Sequence, residues 1–407
     1  AFTKDILDMI EPKPLGGIRV LDLSRVLAGP FCTMNLADLG AEVIKIEVPG
    51  RGDDSRGYAP RIPNSADSGY YFSVNRGKRS VTLDLRKPEG ADILVELVHH
   101  ADVVVENFSP GTMERFNVGY ERLRAANLRI ILCSISGFGQ SGPMASAPAY
   151  DIVAQAIGGT MSITGPAGGE PTRCGVSVGD LAAALYGVVA ILAALRARDI
   201  TGVGQHLDIA MLDCQVAWLE DALARFSATG KVPGPIGSRH PSITPFQQFR
   251  AADGYFVAGC GNEAIWQRFC DAIGMSELKD DQRFAANTDR TANHAILEPI
   301  LIRHFGAQPR GYWLERLEAA NVPCAPIATV AEVAENHHLK ERRMILRADH
   351  PAFDGLIVPG SPLKTAGADG APDTRSPALG EHTDEVLSRL LGYDSARLAE
   401  LRAKQVV

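Results

Sequence analysis

Short apolar runs alternate with helical patterns through the first 200 residues of this 407-residue chain. The predicted strands, rich in Val, Ile and Leu, are 17–24, 41–47, 80–85, 102–107, 130–137 and 204–211. Amphipathic stretches such as 87–101 separate several of them. Largely apolar strands with helices between them form parallel sheets that are covered on both faces. We therefore predict an α/β fold for this part of the chain.

The sequence changes character near residue 212. A predicted helix over 212–228 leads into KVPGPIGSRHPSITP, whose glycine and proline residues indicate a loop or an interdomain crossing. A smaller α+β region follows, with a strand at 255–260 and helices near 263–273, 293–305 and 311–320. The tail contains short strands and two helices. We expect a large domain over 1–215, a linker and small domain over 216–330, and a final segment over 331–407.

Composition disfavours several classes of protein. Lys and Arg number 41 against 48 Asp and Glu, and this net charge of −7 disfavours nucleic-acid binding. The seven cysteines form no C-x-x-C pair, which indicates free thiols in a reducing compartment. Residues 1–14 show no signal peptide, and Leu181–Leu195 falls short of the roughly 20 residues that cross a bilayer. We expect a cytoplasmic protein without a membrane partner, or a mitochondrial matrix protein if the chain is eukaryotic and processed.

Common cofactor and catalytic signatures are absent from the sequence. The first predicted strand is followed by SRVLAGP rather than G-x-G-x-x-G, which disfavours a nicotinamide oxidoreductase. There is no P-loop and no G-x-S-x-G elbow. The histidine pairs His99–His100 and His337–His338 are adjacent, so neither pair shares one helix face. We therefore expect no metal site.

Three loops follow predicted strands at the edge where parallel sheets bind ligands: RVLAGP, ENFSPG and SGFGQSGP. Their polar residues either line a site or only cap helices, and their glycines either approach a ligand or only turn the chain. These residues are Asn107, Ser109, Ser136, Gly137, Gly139 and Gly142. The basic cluster NRGKRS at 75–80, with Arg86 and Arg115, either binds phosphates or forms a solvated hairpin end.

Asp180 lies in GVSVGD, directly before the apolar helical pattern LAAALYGVVAILAAL. Aspartate is a preferred helix N-cap, and that role needs no catalysis. The same position would also place a carboxylate nucleophile at the positive end of a buried helix. The pattern alone leaves both interpretations open.

Several segments, in order and over nearly the whole chain, resemble the class III CoA-transferases. They are GIRVLDLSRVLAGPFCTMNLADLGAEVIKIEVPGRGD, NRGKRSVTLDL, ADVVVENFSPG, GVSVGDLAAALYGVVAILAALRARDITGVGQHLDIAMLD and the terminal LGEHTDEVL. This family includes formyl-CoA transferase, carnitine CoA-transferase and α-methylacyl-CoA racemase. The resemblance implies a Rossmann-like large domain, a small domain and a carboxyl-terminal segment that returns to the large domain. It also implies an interlocked homodimer.

The resemblance places Asp180 on the family's nucleophilic aspartate and implies a CoA thioester substrate with no tightly bound cofactor. Asp180 would form a mixed anhydride with the donor acyl group, then an aspartyl-CoA thioester that the acceptor carboxylate displaces. Motif matches assign CoA contacts to Leu27, Ala28, Leu83, Asp84, Leu85, Arg86, Asn107, Phe108, Ser109 and Arg115. Arg76 and Lys78 are further candidates for a phosphate or a carboxylate.

The segments VLAGP, YDIVAQAIGGTMSITG and GSRHPSITPFQQF are most similar to the subgroup that transfers CoA from succinyl-CoA to dicarboxylic acids such as glutarate and hydroxymethylglutarate. Formyl-CoA transferase has glutamine in place of Leu27 and a basic residue in place of Val48, and GSRHPSITP replaces its glycine-repeat lid. Candidates for contacting the acceptor are Tyr150, Arg239 and His240. His240 either contacts the acceptor or only caps the backbone of its loop.

Three alternatives remain at this point. An acyl-CoA racemase of the same family needs two bases, and racemase relatives carry a His-Asp pair where this chain has Tyr150–Asp151. A CoA-transferase for oxalate or a carnitine-like acid is the second alternative. A non-catalytic CoA-binding protein is the third, and the retained Asp180 disfavours it.

Overall fold

The structure, a computed structural model, describes residues 13–364 and 373–407. These residues form two compact units. The first contains the described residues up to Thr160, then Cys174–Glu220 and the described residues from His337 onward; the second contains Met161–Arg173 and Asp221–Asn336. Met161–Arg173 therefore belongs to the second unit, whereas the predicted boundaries assign it to the large domain. The N-terminal segment tested for a signal peptide lies almost wholly outside the described residues.

Six parallel strands form the main sheet of the first unit, in the order β3-β2-β1-β4-β5-β6. They are β1 (Arg19–Asp22), β2 (Glu42–Glu47), β3 (Lys78–Thr82), β4 (Val103–Glu106), β5 (Ile131–Ser136) and β6 (His206–Ala210). This order is typical of Rossmann folds, in which the direction of winding reverses between β1 and β4. The predicted parallel α/β sheet is confirmed.

The helices, in chain order, connect these strands and build the second unit. They are α1 (Ala28–Asp38), α2 (Gly69–Val74), α3 (Pro88–Val98), α4 (Thr112–Arg115), α5 (Tyr120–Ala126), α6 (Asp151–Ile157), α7 (Thr160–Ile163), α8 (Val178–Thr201), α9 (Met211–Ala217), α10 (Ala222–Thr229), α11 (Glu263–Ile273), α12 (Asn287–Ala292), α13 (His294–Phe305), α14 (Arg310–Ala319), α15 (Val330–Glu335), α16 (His337–Glu341), α17 (Thr383–Leu391) and α18 (Ser395–Ala403). The helix predicted over 212–228 is thus two helices, interrupted where Glu220 adopts a φ of 56°.

Both faces of the main sheet are buried, because successive side chains along a strand point to opposite faces. Val20 and Val43 pack with α1 and α8 in one core. Leu21 and Ile44 pack with α3 in the other. Each face therefore has its own helical layer, as the apolar strands predict.

The end of the chain packs on this second core. Helices α17 and α18 contribute Val386 and Leu401, both fully buried. The hydroxyl of Thr383 accepts a hydrogen bond from the Thr82 N–H at 3.0 Å, and the Asp84 N–H donates to the Val406 carbonyl at 2.8 Å. The expected return of the carboxyl-terminal segment to the large domain is confirmed.

The longest helix, α8, differs from its prediction in length. It has 24 residues rather than the 15 of the apolar run, so by length and composition it could cross a bilayer, and the expectation that it is too short is wrong. Half of the residues in its most apolar stretch are buried inside the protein. The core helices of globular proteins can have this same length and composition.

The second unit has its own three-stranded antiparallel sheet, in the order β7-β8-β9. These strands are β7 (Phe246–Arg250), β8 (Tyr255–Gly259) and β9 (Cys324–Pro326), and β10 (Ile345–Arg347) pairs with β11 (Ile357–Pro359) in the first unit. Aromatic side chains from α11, α13 and α14, including Trp266, Phe305 and Trp313, form the core of the second unit. The expected α+β character of this region is confirmed.

All seven cysteines are free thiols, as predicted, and five are buried.

Candidate active site

Two adjacent cavities lie at the carboxyl ends of the parallel strands in the first unit. The larger has a volume of about 520 Å³ and the smaller about 240 Å³. Arg25, Phe108 and Ser109 line both, so the two cavities share a wall. That wall comes from the loops after β1 and β4, between which the winding of the sheet reverses. Open α/β sheets bind their ligands at this position.

The larger cavity combines apolar walls with an excess of accessible cations. Leu23, Ile46, Leu83 and Phe116 are among its apolar lining residues. Four arginines also line it: Arg25, Arg51, Arg86 and Arg115. Asp84 pairs with Arg86 at 2.8 Å, and Glu47 and Asp53 are buried in ion pairs. Asp54 pairs with both Arg25 and Arg51, at 3.1 and 2.5 Å, so the four arginines outnumber the two carboxylates that pair with them. Guanidinium groups around a partly apolar cavity suit a ligand that carries phosphates on an organic body.

The structure brings together most of the residues singled out from the sequence. Those that line the larger cavity are Leu83, Asp84, Leu85, Arg86, Phe108, Ser109 and Arg115. Those that line the smaller cavity are Leu27, Ala28, Asn107, Phe108, Ser109, Ser136, Gly137, Tyr150 and Asp180. All three predicted ligand loops, after β1, β4 and β5, contribute to the smaller cavity. Their contact with a ligand remains a prediction.

Arg76 and Lys78 lie elsewhere. The Arg76 guanidinium is 2% exposed and pairs with Asp38 at 2.6 Å. The Lys78 ammonium is fully buried and pairs with Asp22 at 2.9 Å. Neither residue lines the two cavities, so this placement corrects their assignment as phosphate-binding candidates. The alternative of a solvated hairpin end is also wrong here, because Lys78 begins the buried strand β3.

Asp22 and Asp53 anchor a buried network beneath the site. Asp22 accepts from Lys78, and Asp53 pairs with Lys45 at 2.9 Å, with all four side chains fully buried. Burial raises the pKa of Asp22, but the charges of Lys78 and Lys45 and two hydroxyl donors lower this pKa by more. Burial likewise raises the pKa of Asp53, but the charge of Lys45 and hydrogen bonds from Ser55 lower this pKa by more, so both aspartates are held in the charged form.

Asp180 is the third residue of α8, and Ser177 occupies the N-cap position. The N-cap interpretation of Asp180 is therefore wrong, because α8 begins three residues earlier than the sequence pattern indicates. Asp180 is half-buried and lines the smaller cavity. A carboxylate in the first turn lies near the positive end of the helix dipole, which stabilises its charge.

Asp151 holds the start of α8 from outside that helix. Its Oδ1 accepts the Gly179 N–H at 2.8 Å, and its Oδ2 accepts from Gln155 at 2.7 Å. A Cβ on residue 179 would lie 3.0 Å from the Asp151 carboxylate, so glycine permits this close approach. The contact fixes the residue directly before Asp180.

Three tyrosines lie on the Asp180 side of the site. Burial, with the charge of Asp180 as the next cause, raises the pKa of Tyr70 to about 12. The ring of Tyr70 packs edge-on against Tyr58, which lines the smaller cavity. Tyr150 is 82% exposed at the N-cap position of α6. Its phenol is therefore open to solvent, whereas neighbouring Asp151 is buried.

Glu106 lies at the end of β4, directly beneath the shared wall. It is 3% exposed, and its Oε2 accepts the Phe108 N–H at 2.6 Å. Burial, reinforced by the charges of Glu114 and Asp208, raises the pKa of Glu106 to about 7 against the effect of its hydrogen bonds. The protonation of Glu106 therefore changes near neutral pH at the base of this loop.

Arg239 and His240 belong to the second unit. The His240 Nδ1 accepts the Ser242 N–H at 3.1 Å, and its ring packs edge-on against Phe246. One ring nitrogen therefore caps the loop backbone, as one interpretation of the sequence proposed. The role of these two residues toward an acceptor remains a prediction.

The sequence reasoning missed Arg25, Arg51 and Tyr58. Arg51 and Tyr58 follow β2 at the same edge of the sheet as the three loops that were identified. The turn VPGRGD directly after the strand could have indicated that loop by the same rule. Arg25 is the one charged residue of the RVLAGP loop, which was identified by its glycine and proline rather than by its charge.

Comparison with known proteins connects this geometry to one family. Residues 15–383 match the model described as CoA-transferase family III. The acetyl-CoA:oxalate CoA-transferase of Acetobacter aceti is 45% identical over 362 residues, 88% of this chain and 91% of the relative. The succinyl-CoA:glutarate CoA-transferase of Homo sapiens is 39% identical over 400 residues, 98% of this chain and 91% of the relative.

A solved structure shares the whole fold. The crystal structure of a CAIB/BAIF family protein from Brucella suis has a TM-score of 0.83 and 39% sequence identity. The match covers 93% of this chain and all of that chain. At this level of identity and coverage, the likeness extends over both units.

We predict that Glu106 makes the stability of the fold fall as pH rises from about 4.5 to 7. Its pKa is higher in the folded chain than in the unfolded chain, so the unfolded state loses its proton first and is favoured as pH rises. Glu106→Gln removes this term. From pH 5 to pH 8, the unfolding free energy of the wild type should therefore fall by about 2 kcal/mol more than that of the variant.

Urea denaturation at both pH values measures this difference. Glu121→Gln, at an exposed glutamate of α5, is the matched control and should follow the wild type. Parallel pH dependences for the wild type and Glu106→Gln would contradict the assignment.

Proposed function

Because this chain belongs to CoA-transferase family III, we propose that it moves coenzyme A from an acyl-CoA donor to a dicarboxylic acid through covalent intermediates on Asp180. One observation carries the proposal: Asp180, in the first turn of α8, lines a small cavity that shares a wall with a larger, arginine-lined cavity. A nucleophile and a polyanion site stand side by side in this arrangement.

The two cavities suit the two ends of an acyl-CoA. The arginines of the larger cavity match the phosphates of the nucleotide, and its apolar walls match the base and the pantetheine arm. The shared wall formed by Arg25, Phe108 and Ser109 would lie beside the thioester as it enters the smaller cavity. This placement would direct the acyl carbon toward Asp180.

The exchange proceeds in four balanced steps. An Asp180 oxygen attacks the donor thioester carbon, the C–S bond breaks, and CoA leaves as a thiolate. The thiolate attacks the Asp180 carbonyl of this anhydride, which releases the donor carboxylate and leaves an aspartyl-CoA thioester. The acceptor carboxylate attacks that thioester and expels the thiolate again. The thiolate then attacks the acceptor acyl carbon, which forms the new acyl-CoA and restores the Asp180 carboxylate.

The overall exchange needs no net proton transfer and no external energy source, because the thioester of one carboxylic acid is replaced by the thioester of another. The two mixed anhydrides are transient intermediates of higher energy than the thioesters. The aspartate oxygen leaves as a carboxylate in the final step. The N-terminus of α8 stabilises that developing charge. The contact of Asp151 with Gly179 keeps this turn in place.

The substrate class rests on the relatives. Their names give glutarate and oxalate, both dicarboxylates, as acceptors, and succinyl-CoA and acetyl-CoA as donors. We propose a dicarboxylate acceptor and succinyl-CoA as the donor, with Arg239 and His240 holding the distal carboxylate. Transfer to oxalate from acetyl-CoA is the alternative within the same chemistry.

Racemisation is a second candidate function, and the smaller cavity disfavours it. A racemase moves an α-proton between two bases. No histidine lines this cavity in the described part of the chain. By the resemblance noted from the sequence, Tyr150 replaces the histidine that racemase relatives carry. Solvent-deuterium exchange into a branched acyl-CoA would reveal racemisation.

We also propose an interlocked homodimer. Leu185, Val189 and Leu192 form an exposed apolar stripe on α8, and Val189 is 62% exposed. These positions recur at helical spacing on one face, which a second copy of the chain would cover.

We predict that Asp180→Ala and Asp180→Asn abolish CoA transfer without unfolding the protein, since both remove the nucleophile. The loss should exceed about 10³-fold in kcat. Chromatographic detection of the new acyl-CoA and circular dichroism measure the two effects. Asp199→Asn, at an exposed position near the other end of α8, is the control and should remain active. Near-normal turnover by Asp180→Ala would contradict the nucleophile assignment.

We predict that succinyl-CoA yields a new acyl-CoA with at least one of glutarate, hydroxymethylglutarate, malate, itaconate or mesaconate. Carnitine should be a poor acceptor.

We predict that Arg239→Ala and His240→Ala lower kcat/KM for glutarate about 10- to 100-fold more than for butyrate, because only glutarate has a distal carboxylate. Arg250→Ala, at an exposed arginine of the second unit, is the matched control. Equal losses of kcat/KM for both acids would show that Arg239 and His240 do not recognise the distal carboxylate. Product from acetyl-CoA and oxalate alone would favour the alternative pair.

We predict that the chain sediments as a dimer and that two differently tagged populations do not exchange subunits on mixing. Val189→Asp should lower the yield of dimer, because it places a charge in the apolar stripe. Val330→Asp, at an 87% exposed valine of the second unit, should leave the dimer intact. Analytical ultracentrifugation gives the result, and a monomer at micromolar concentration would contradict the proposal.

A further inference from the structure

The loop after β1 holds a β-branched residue in a left-handed backbone conformation. Val26 has a φ of 68°, a region that β-branched side chains rarely occupy. Such strain persists only where the surroundings impose it. Val26 and its neighbours Arg25, Leu27 and Ala28 line the same cavity as Asp180. The contacts that impose this conformation therefore shape one wall of the candidate site.

Asn107 fixes the backbone on one side of Val26. Its Oδ1 accepts the Arg25 N–H at 2.8 Å, and its Nδ2 donates to the Arg25 carbonyl at 2.8 Å. The side-chain amide thus pairs with both polar groups of one residue. This pairing joins the loop after β4 to the loop after β1.

Asp53 fixes Val26 itself. Both of its carboxylate oxygens accept the Val26 N–H, at 3.1 and 3.2 Å, and the residue is 2% exposed. Lys45 pairs with the Asp53 carboxylate at 2.9 Å and donates to the Ser24 carbonyl at 2.8 Å. The loop after β2 is thereby joined to the same short segment. Residues 24–26 are held from β2, from its following loop and from the loop after β4.

We propose that Asn107 and Asp53 are positioning residues for CoA transfer, which hold Val26 in its left-handed conformation so that the wall at Arg25–Ala28 is formed before substrate binds. The inference rests on the proposed function and reassigns Asn107 from a CoA contact to a support of the wall. Its amide already donates to and accepts from Arg25. Asp53 is buried and faces Val26 and Lys45.

A wall formed in advance matters for a nucleophile that reacts at carbonyl carbon, because small displacements at the reacting centre lower the rate steeply. The packing behind the wall is equally tight. A Cβ at Gly29 would lie 2.1 Å from the Ser24 Cβ, so the first turn of α1 lies directly against the loop. With so little space behind the loop, its two hydrogen-bonded supports decide the shape that it presents to the cavity.

Asn107→Ala tests the proposal through steady-state kinetics. It removes one support while leaving the buried ion pairs intact. We expect kcat to fall about 10- to 100-fold, while KM for the acyl-CoA changes less than about threefold. Asn107→Asp, which keeps an acceptor for the Arg25 N–H and loses the donor to its carbonyl, provides a second variant if the alanine variant folds poorly.

Rescue by glycine separates positioning from direct contact. Glycine adopts a φ of 68° without strain, so Val26→Gly in the Asn107→Ala background should recover at least about threefold in kcat. Val26→Gly alone supplies the reference for this double-mutant cycle. Asn321→Gly, at another left-handed position in the second unit, is the matched control and should give no rescue.

Two results would overturn the proposal: unchanged kcat in Asn107→Ala, or a loss confined to KM for the acyl-CoA and not rescued by Val26→Gly. A wild-type protein that transfers no CoA between any acyl-CoA and acid would refute the proposed function instead. In that case, hydrogen exchange still tests the two supports, because the Arg25 and Val26 amides should exchange faster in Asn107→Ala. Unchanged exchange would overturn the inference without reference to turnover.

Discussion

Two buried lysine–aspartate ion pairs connect the first three strands of the main sheet beneath the site. Lys78 at the start of β3 pairs with Asp22 at the end of β1, and Lys45 in β2 pairs with Asp53. Burying four charges has a large desolvation cost, which is offset only if every charge is paired and hydrogen-bonded. Here the ammonium groups also donate to two backbone carbonyls, that of Ser24 in the loop after β1 and that of Pro30 in the first turn of α1. Loss of any one partner would leave an unpaired buried charge and would loosen the cavity wall at Arg25–Ala28.

The parts of the fold that depend on local pattern could be predicted from the sequence. Apolar strands and intervening helices indicated the parallel sheet, and the rule that ligands bind at carboxyl ends of strands identified three loops of the smaller cavity. The partners of Arg76 and Lys78 could not be predicted this way. Asp38 and Asp22 lie 38 and 56 residues away in sequence. Basic residues on a strand look solvent-exposed or ligand-binding until their distant carboxylates are known.

The start of α8 shows a second limit of sequence reasoning. Aspartate before an apolar run resembles an N-cap, and the family resemblance, rather than the pattern, identified Asp180 as a nucleophile. In the structure, Ser177 occupies the cap position and Asp180 enters the first turn, where its carboxylate faces a cavity. Asp151, from a neighbouring helix, then accepts the Gly179 N–H. That capping interaction spans 28 residues and leaves no local signal in the sequence.

The account depends most directly on a covalent intermediate at Asp180. The measurement that tests it is mass spectrometry of peptides from protein quenched in acid within milliseconds of mixing with an acyl-CoA. An acyl or CoA adduct on the peptide that contains Asp180, absent from Asp180→Asn, is the result that the account predicts. An adduct on another residue, or turnover with no adduct at any time point, would contradict it.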